Sequence, residues 1–139
     1  TVVDLTNKPK ILRPGIISSS KIEKILNLKD KKNKNKNNLK IKSPGMLKKH
    51  YSPGIPVLIN QKKPDKISAY IYLGNKYKNK LKKFSLSKKS DLDEAASNLY
   101  KTFRLIKKQG FKKIQIAKIP LKGAGIAIND RIKRAAKIK

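Results

Sequence analysis

Side chains able to do chemistry are few in this chain. Its 139 residues include one histidine, no cysteine and eight acids. Without thiols there is neither a disulfide framework nor a thiolate metal site. No paired carboxylates stand out for acid–base work, and no His–carboxylate cluster has the spacing of metal ligands. Taken alone, the sequence does not read as a complete enzyme. Two stretches are nevertheless particular. In "SPGMLKKHYSP" (43–53), two prolines bracket a methionine, the lone histidine and a tyrosine. Pro44 and Pro53 restrict their own and neighbouring backbone angles, so less entropy is lost when the segment adopts one shape. Met46 is an adaptable apolar plug, and Tyr51 offers a flat face with a polar tip. His50 is assigned to packing or hydrogen bonding rather than to a catalytic base. The strip is either a stiffened tether or a segment made to close over something.

The second stretch is "KGAGIAIND" (122–130), in which Gly123 and Gly125 precede a helix. Glycines there could cradle a phosphate at the helix N-terminus. The full dinucleotide fingerprint is missing, however: position 128 is Ile, and no acid follows about 20 residues on. Close backbone packing at the helix start is the preferred reading.

These stretches need elements to hold them. "TVVDL" and "KILRP" alternate as two short strands joined by the "TNKP" turn. "SKIEKILNL" predicts a short helix ending near Lys29, with Ser20 and Glu23 as a capping box and Ile22, Ile25 and Leu26 on one face. "DKKNKNKNNLKIK" (30–42) is charged and of low complexity, and reads as linker or surface loop. From residue 55 the pattern becomes that of a folded domain. "IPVLIN", "KISAYIYLG", "KKFSLS" and "KKIQIAKIP" are strand-like, with Ile67, Ala69, Ile71 and Leu73 assigned to one face. "DLDEAASNLYKTFRLIKKQG" carries Leu92, Ala95, Ala96, Leu99, Phe103 and Ile106 at helical spacing, with Gly110 at its end. "GAGIAINDRIKRAAKIK" predicts a closing helix with Ile128, Ile132 and Ala135 inward. Strands alternating with helices argue a small three-layer α/β domain with a mostly parallel sheet, its strand order open.

The formal net charge is +29. A cationic surface of that size binds nucleic acid by releasing counterions from phosphates. Yet only four of the 37 basic residues are arginines, and Phe plus Tyr make up 6% of the chain. Lys, Asn and Ile share AT-rich codons, so composition explains the charge at least as well as phosphate recognition. A basic RNA-binding module without catalytic activity stays as the alternative reading, marked by steep salt dependence. No apolar run approaches the roughly 20 residues that span a bilayer, which with the missing signal-peptide pattern predicts a cytoplasmic protein without membrane contact. The opening "TVVDLTNKPKILRPG" lacks a methionine and begins inside a strand, so the chain is expected to be part of a longer polypeptide.

"TVVDLT" and "ILRPG" (11–15), the "SPGM…HYSP" strip and "GAGIAINDRIKRAA" (123–136), in this order, resemble the C-terminal part of Sua5-type threonylcarbamoyl-AMP synthases. The resemblance implies residues 1–28 as the end of a YrdC-like catalytic domain, 29–54 as a Lys/Asn-rich linker carrying a lid, and 55–139 as a Rossmann-like accessory α/β domain. It implies an L-threonylcarbamoyladenylate synthase, joining threonine, bicarbonate and ATP with release of pyrophosphate, in the t6A modification of tRNA. The fragment alone is expected to be inactive, with no catalytic residue of its own. Arg13 falls on the family's "ILRPG" arginine, implied to pair with nucleotide phosphate as an Arg fork does. Tyr51 falls on the tyrosine implied to meet the nucleotide when the lid closes. Mg2+ follows from ATP chemistry only, and contact with tRNA or with the downstream t6A transferase machinery follows from the pathway. The sequence departs from the family in its expanded 30–42 run and in "HYSP" for "HYAP".

Overall fold

A computed structural model describes residues 1–6, 8–27, 52–77 and 81–136. The first part holds a two-stranded antiparallel ribbon, β1 (Val2–Asp4) with β2 (Lys10–Arg13), registered Val3 to Ile11 and Val2 to Arg13 with an irregularity between. Helix α1 (Ser19–Ile25) follows. Its cap differs from expectation: Ser18 accepts from the Lys21 N–H at 3.3 Å, two residues earlier than the anticipated Ser20. Starting earlier, the helix also ends earlier, and the positive φ of 48° at Asn27 marks the turn out of it. Ile25, expected on the packed face, is 72% exposed.

The second part is a mixed α/β unit, as its alternating pattern predicts. Its strands are β3 (Val57–Leu58), β4 (Ala69–Tyr72), β5 (Lys83–Ser85) and β6 (Ile114–Ile116). All pair in parallel, in the order β3-β6-β4-β5. Ile114 stands opposite both Val57 and Ala69, so β6, last in sequence, forms the middle of the sheet. A central parallel strand is buried on both faces, and Ile114, Gln115 and Ile116 are all buried.

Helix α2 (Leu92–Lys108) shows why the sequence is helical there. Asp91 caps it by accepting from the Glu94 N–H at 2.7 Å, and Asp93 and Glu94 complement the dipole. Gly110, at φ +78°, closes a Schellman motif: its N–H reaches the Lys107 carbonyl, and the Phe111 N–H reaches that of Ile106. Ala95, Ala96, Leu99, Phe103 and Ile106 enter one apolar core with Ala69, Ile71, Leu86, Ile114 and Ile116. Helix α3 (Ala124–Ala136) adds Ile128, Ile132 and Ala135 to the same core and packs on α2.

The opposite sheet face is covered by loops. Tyr70 and Tyr72, buried and 6.2 Å apart, receive the Tyr77 ring edge-on at 5.6 and 5.1 Å. The Tyr70 hydroxyl donates to the Gln61 carbonyl at 2.9 Å, and the Asp65 N–H donates to the Gln115 side-chain oxygen at 2.9 Å. Buried polar atoms on this face are thus paired with the connection that crosses it. Ile67 departs from expectation: it is 73% exposed, because β4 begins only at Ala69 and the preceding residues belong to a turn.

Asp65 organises that turn. Its carboxylate accepts from the Ser68 N–H (2.6 Å), the Ser68 hydroxyl (2.7 Å) and the Ile67 N–H (3.0 Å), and lies 3.2 Å from Lys113 Nζ. These partners, Ser68 foremost, hold the carboxyl well below the usual range. With the folded value depressed, the contribution is complete above the unfolded value of about 3.9 and is lost as pH falls through the folded one. Asp65→Asn should therefore lower the melting temperature near neutrality, and the gap to wild type should shrink progressively below about pH 4. A gap independent of pH in thermal melts would contradict this role.

No helix among the described residues is long and apolar enough to cross a membrane.

Candidate functional site

Arg13 ends β2, paired with Val2 across the ribbon, and its Nε is buried. Tyr51, with Pro44, Met46 and His50, lies outside the described residues. Of the strip's far end, Pro53 is buried, and the Ser52 hydroxyl accepts from the Gly54 N–H at 3.0 Å in a local turn. The described residues therefore do not bring Arg13 and Tyr51 together.

What the fold does bring to Arg13 is a tyrosine and more arginine. Tyr100 projects from α2 with its ring 6.4 Å from Phe103, and the Arg131 guanidinium of α3 lies 5.7 Å from the ring centroid. That separation is within the reach of a cation–π contact. One helical turn on, Arg134 Nε meets Asp130 Oδ2 at 2.9 Å. Burial pushes the Tyr100 hydroxyl up, and the charges of Arg131 and Arg13 pull it back down; Asp130 raises it and Arg134 lowers it. Three of the chain's four arginines thus act on one half-buried tyrosine, and the Asp130 carboxylate beside it is held by Arg134. The buried Arg131 Nε has no hydrogen-bond partner. Planar guanidinium donors in partly dehydrated surroundings suit an oxyanion, either a phosphate or a carboxylate on another surface.

Sequence reasoning did not find Tyr100, Arg131 or Arg134. The signal was present in the scarcity of arginine. In a chain that uses lysine nearly everywhere, an arginine raises the question whether a planar fork is needed there, and three of the four act on Tyr100. Only the packing of α2 on α3 shows that Arg131 and Tyr100 meet.

Asp130, the carboxylate described beside Tyr100 and the arginines, does not make a magnesium site by itself. Mg2+ takes oxygen ligands, and the carboxylate there is engaged by Arg134 among guanidinium groups. Among the described residues no group of three or more His, Cys, Asp or Glu could hold a metal ion.

The glycine stretch resolves in favour of packing. At the start of α3 the Gly125 N–H donates to the Lys122 carbonyl at 2.9 Å, and the Ile126 N–H to that of Gly123 at 3.2 Å. Two of the donors a phosphate would meet there are thus already used. A Cβ on Gly125 would lie 2.0 Å from the Pro120 carbonyl oxygen. The Asn129 amide ties the same loop down, donating to the Gly125 and Ile119 carbonyls at 2.7 and 3.1 Å.

Comparison with known proteins places the chain in a family. A threonylcarbamoyl-AMP synthase of Pyrococcus abyssi (strain GE5 / Orsay) is 31% identical over 162 residues, a match covering 98% of this chain and 45% of the relative. The chain therefore spans less than half the length of that relative. The family described as "Threonylcarbamoyl-AMP synthase, C-terminal domain" matches residues 17–137. With that match over most of its length, the chain belongs to the family of threonylcarbamoyl-AMP synthase C-terminal domains.

Proposed function

We propose that this chain supplies the lid and the accessory domain of an enzyme that makes threonylcarbamoyl-adenylate from threonine, bicarbonate and ATP. The match across residues 17–137 carries the reading, and Arg13 lies just outside it, in the strand that leads in. In the proposed reaction, threonine's amine displaces hydroxide from the carbon of bicarbonate. The hydroxide leaves with an amine proton as water, and an oxygen of the resulting carbamate attacks the α-phosphorus. The bond to the β-phosphate bridging oxygen breaks, and pyrophosphate leaves. Arg13 pairs with phosphate oxygens as charge builds on them, and Tyr100 and Arg131 position its surroundings. The product is a mixed anhydride that water destroys. A strip closing over it, with Tyr51 against the nucleotide, protects it from hydrolysis. The product then serves t6A formation on tRNA in the cytoplasm. On this reading residues 1–28 complete the catalytic domain, 29–54 form the linker with its lid, and 55–139 form the accessory domain.

The test uses the full-length protein. ATP should release pyrophosphate only when threonine and bicarbonate are both present, with threonylcarbamoyl-AMP detected by mass spectrometry. No adenylate under those conditions would refute the reading. Tyr51→Ala should form less recoverable adenylate per ATP consumed, because the intermediate meets water sooner. An unchanged yield per ATP would remove Tyr51 from the lid.

A further inference from the structure

In open parallel sheets, ligands bind beyond the carboxyl ends of strands where neighbouring connections leave toward opposite faces. This sheet has such a point between β3 and β6. After β3 the chain turns at Asn60, whose φ is +56°, and crosses the tyrosine face, where Tyr70 holds the Gln61 carbonyl. After β6 it leaves toward the helix face, where Ile119 is buried in the core and Asn129 of α3 holds the Ile119 carbonyl. The two strands remain tied as they diverge, since the Gln61 N–H donates to the Ile116 carbonyl at 2.9 Å. A crevice of about 480 Å³ opens there, lined by Asn60, Gln61, Lys62, Tyr70, Ala117 and Lys118.

The lining specifies a kind of ligand. It includes two lysines and no acidic residue. The Tyr70 hydroxyl is committed to the Gln61 carbonyl, and the Gln61 amide to the Ile59 carbonyl at 2.8 Å. Polar recognition thus falls to Lys62, Lys118 and the Asn60 amide, a set suited to one compact anion. The volume falls within the roughly 300–1,000 Å³ of small-molecule sites. Neither Arg13 nor any other residue of the arginine cluster lines it.

We infer that this crevice is a binding site for a small phosphate-bearing ligand, separate from the Arg13 site and independent of the function proposed above. Lys62 and Lys118 neutralise the phosphate from the two diverging strand ends, and Asn60 contributes a neutral hydrogen bond. All three follow closely on the paired ends of β3 and β6, which the Gln61 N–H to Ile116 carbonyl bond holds together.

Because the chain is so basic, the test must separate a site from bulk charge. Pyrophosphate, orthophosphate and AMP would be titrated into the chain at about 150 mM salt, where exposed charges are largely screened. Calorimetry would be combined with backbone amide chemical shifts. Saturable binding that moves Asn60, Gln61, Lys62, Ala117 and Lys118 is expected. The double variant Lys62→Ala/Lys118→Ala should weaken it at least about tenfold. The pair Lys88→Ala/Lys89→Ala, exposed in a loop elsewhere, should not. Tight AMP with weak inorganic anions would identify a nucleotide site, and the reverse a site for free phosphate or pyrophosphate. Equal losses in both variant pairs, or shifts spread over the whole surface, would overturn the inference. So would absence of saturable binding for all three probes.

Discussion

Arg13→Ala in the full-length enzyme should lower adenylate formation roughly 10²-fold or more, the usual consequence of removing one donor from a developing oxyanion. Arg13 is also partly buried beside Tyr100, so lost packing could weaken activity without any contact to substrate. Two further readouts separate these causes. Arg13→Lys should remain impaired, since an ammonium cannot replace the planar fork at a bidentate phosphate site. The loss should also be shared between kcat and KM for ATP, with the melting temperature little changed. Wild-type adenylate yield from Arg13→Ala would remove Arg13 from the site. Full rescue by lysine would leave it a general cation rather than a fork.

Gly125→Ala should be the most damaging single-methyl change in the accessory domain. The added carbon would sit 2.0 Å from the Pro120 carbonyl oxygen, a backbone atom that Asn129 helps to hold nearby. Relief requires α3 to move away from the loop after β6, and with it Ala124, Ile128 and Ile132 from the core. We expect a cost of about 3 kcal/mol, at the upper end for overpacking. In a unit of this size that lowers the melting temperature on the order of 15 °C. Gly123→Ala is the control. Nothing lies within 4 Å of its Cβ, but its φ is +49°, so the penalty should be only about 1 kcal/mol, from backbone strain. Equal melting temperatures for Gly125→Ala and wild type would undo the packing account of this stretch.

The contrast between these two sites shows how much a motif can say. "GAGIAIND" admitted a phosphate cradle or a tight helix entry, and the preference for packing rested on an incomplete fingerprint. Distances decide it, because turn carbonyls already occupy the Gly125 and Ile126 N–H groups and a Cβ on Gly125 would meet the Pro120 carbonyl. Likewise, Ser20 with Glu23 had the spacing of a capping box, yet Ser18 forms the cap. Serines stand at 18, 19 and 20, and residue type alone cannot choose among them.

Local physics was legible along the chain. The α2 stripe and its Gly110 exit depend on residues within a turn or two of each other, and sequence determines such relations directly. So does the alternation that makes an α/β domain with a parallel sheet. Tertiary structure alone decided that β6 would fill the middle of the sheet, that Ile67 would lie outside while Tyr70 and Tyr72 went in, and that two strand ends would diverge around a crevice. It alone brought Arg131 over Tyr100 and Tyr100 into the electrostatic reach of Arg13. The reason is range. A helix cap or stripe is settled by neighbours in sequence, whereas strand order and charge clusters arise only when distant segments bury a shared core.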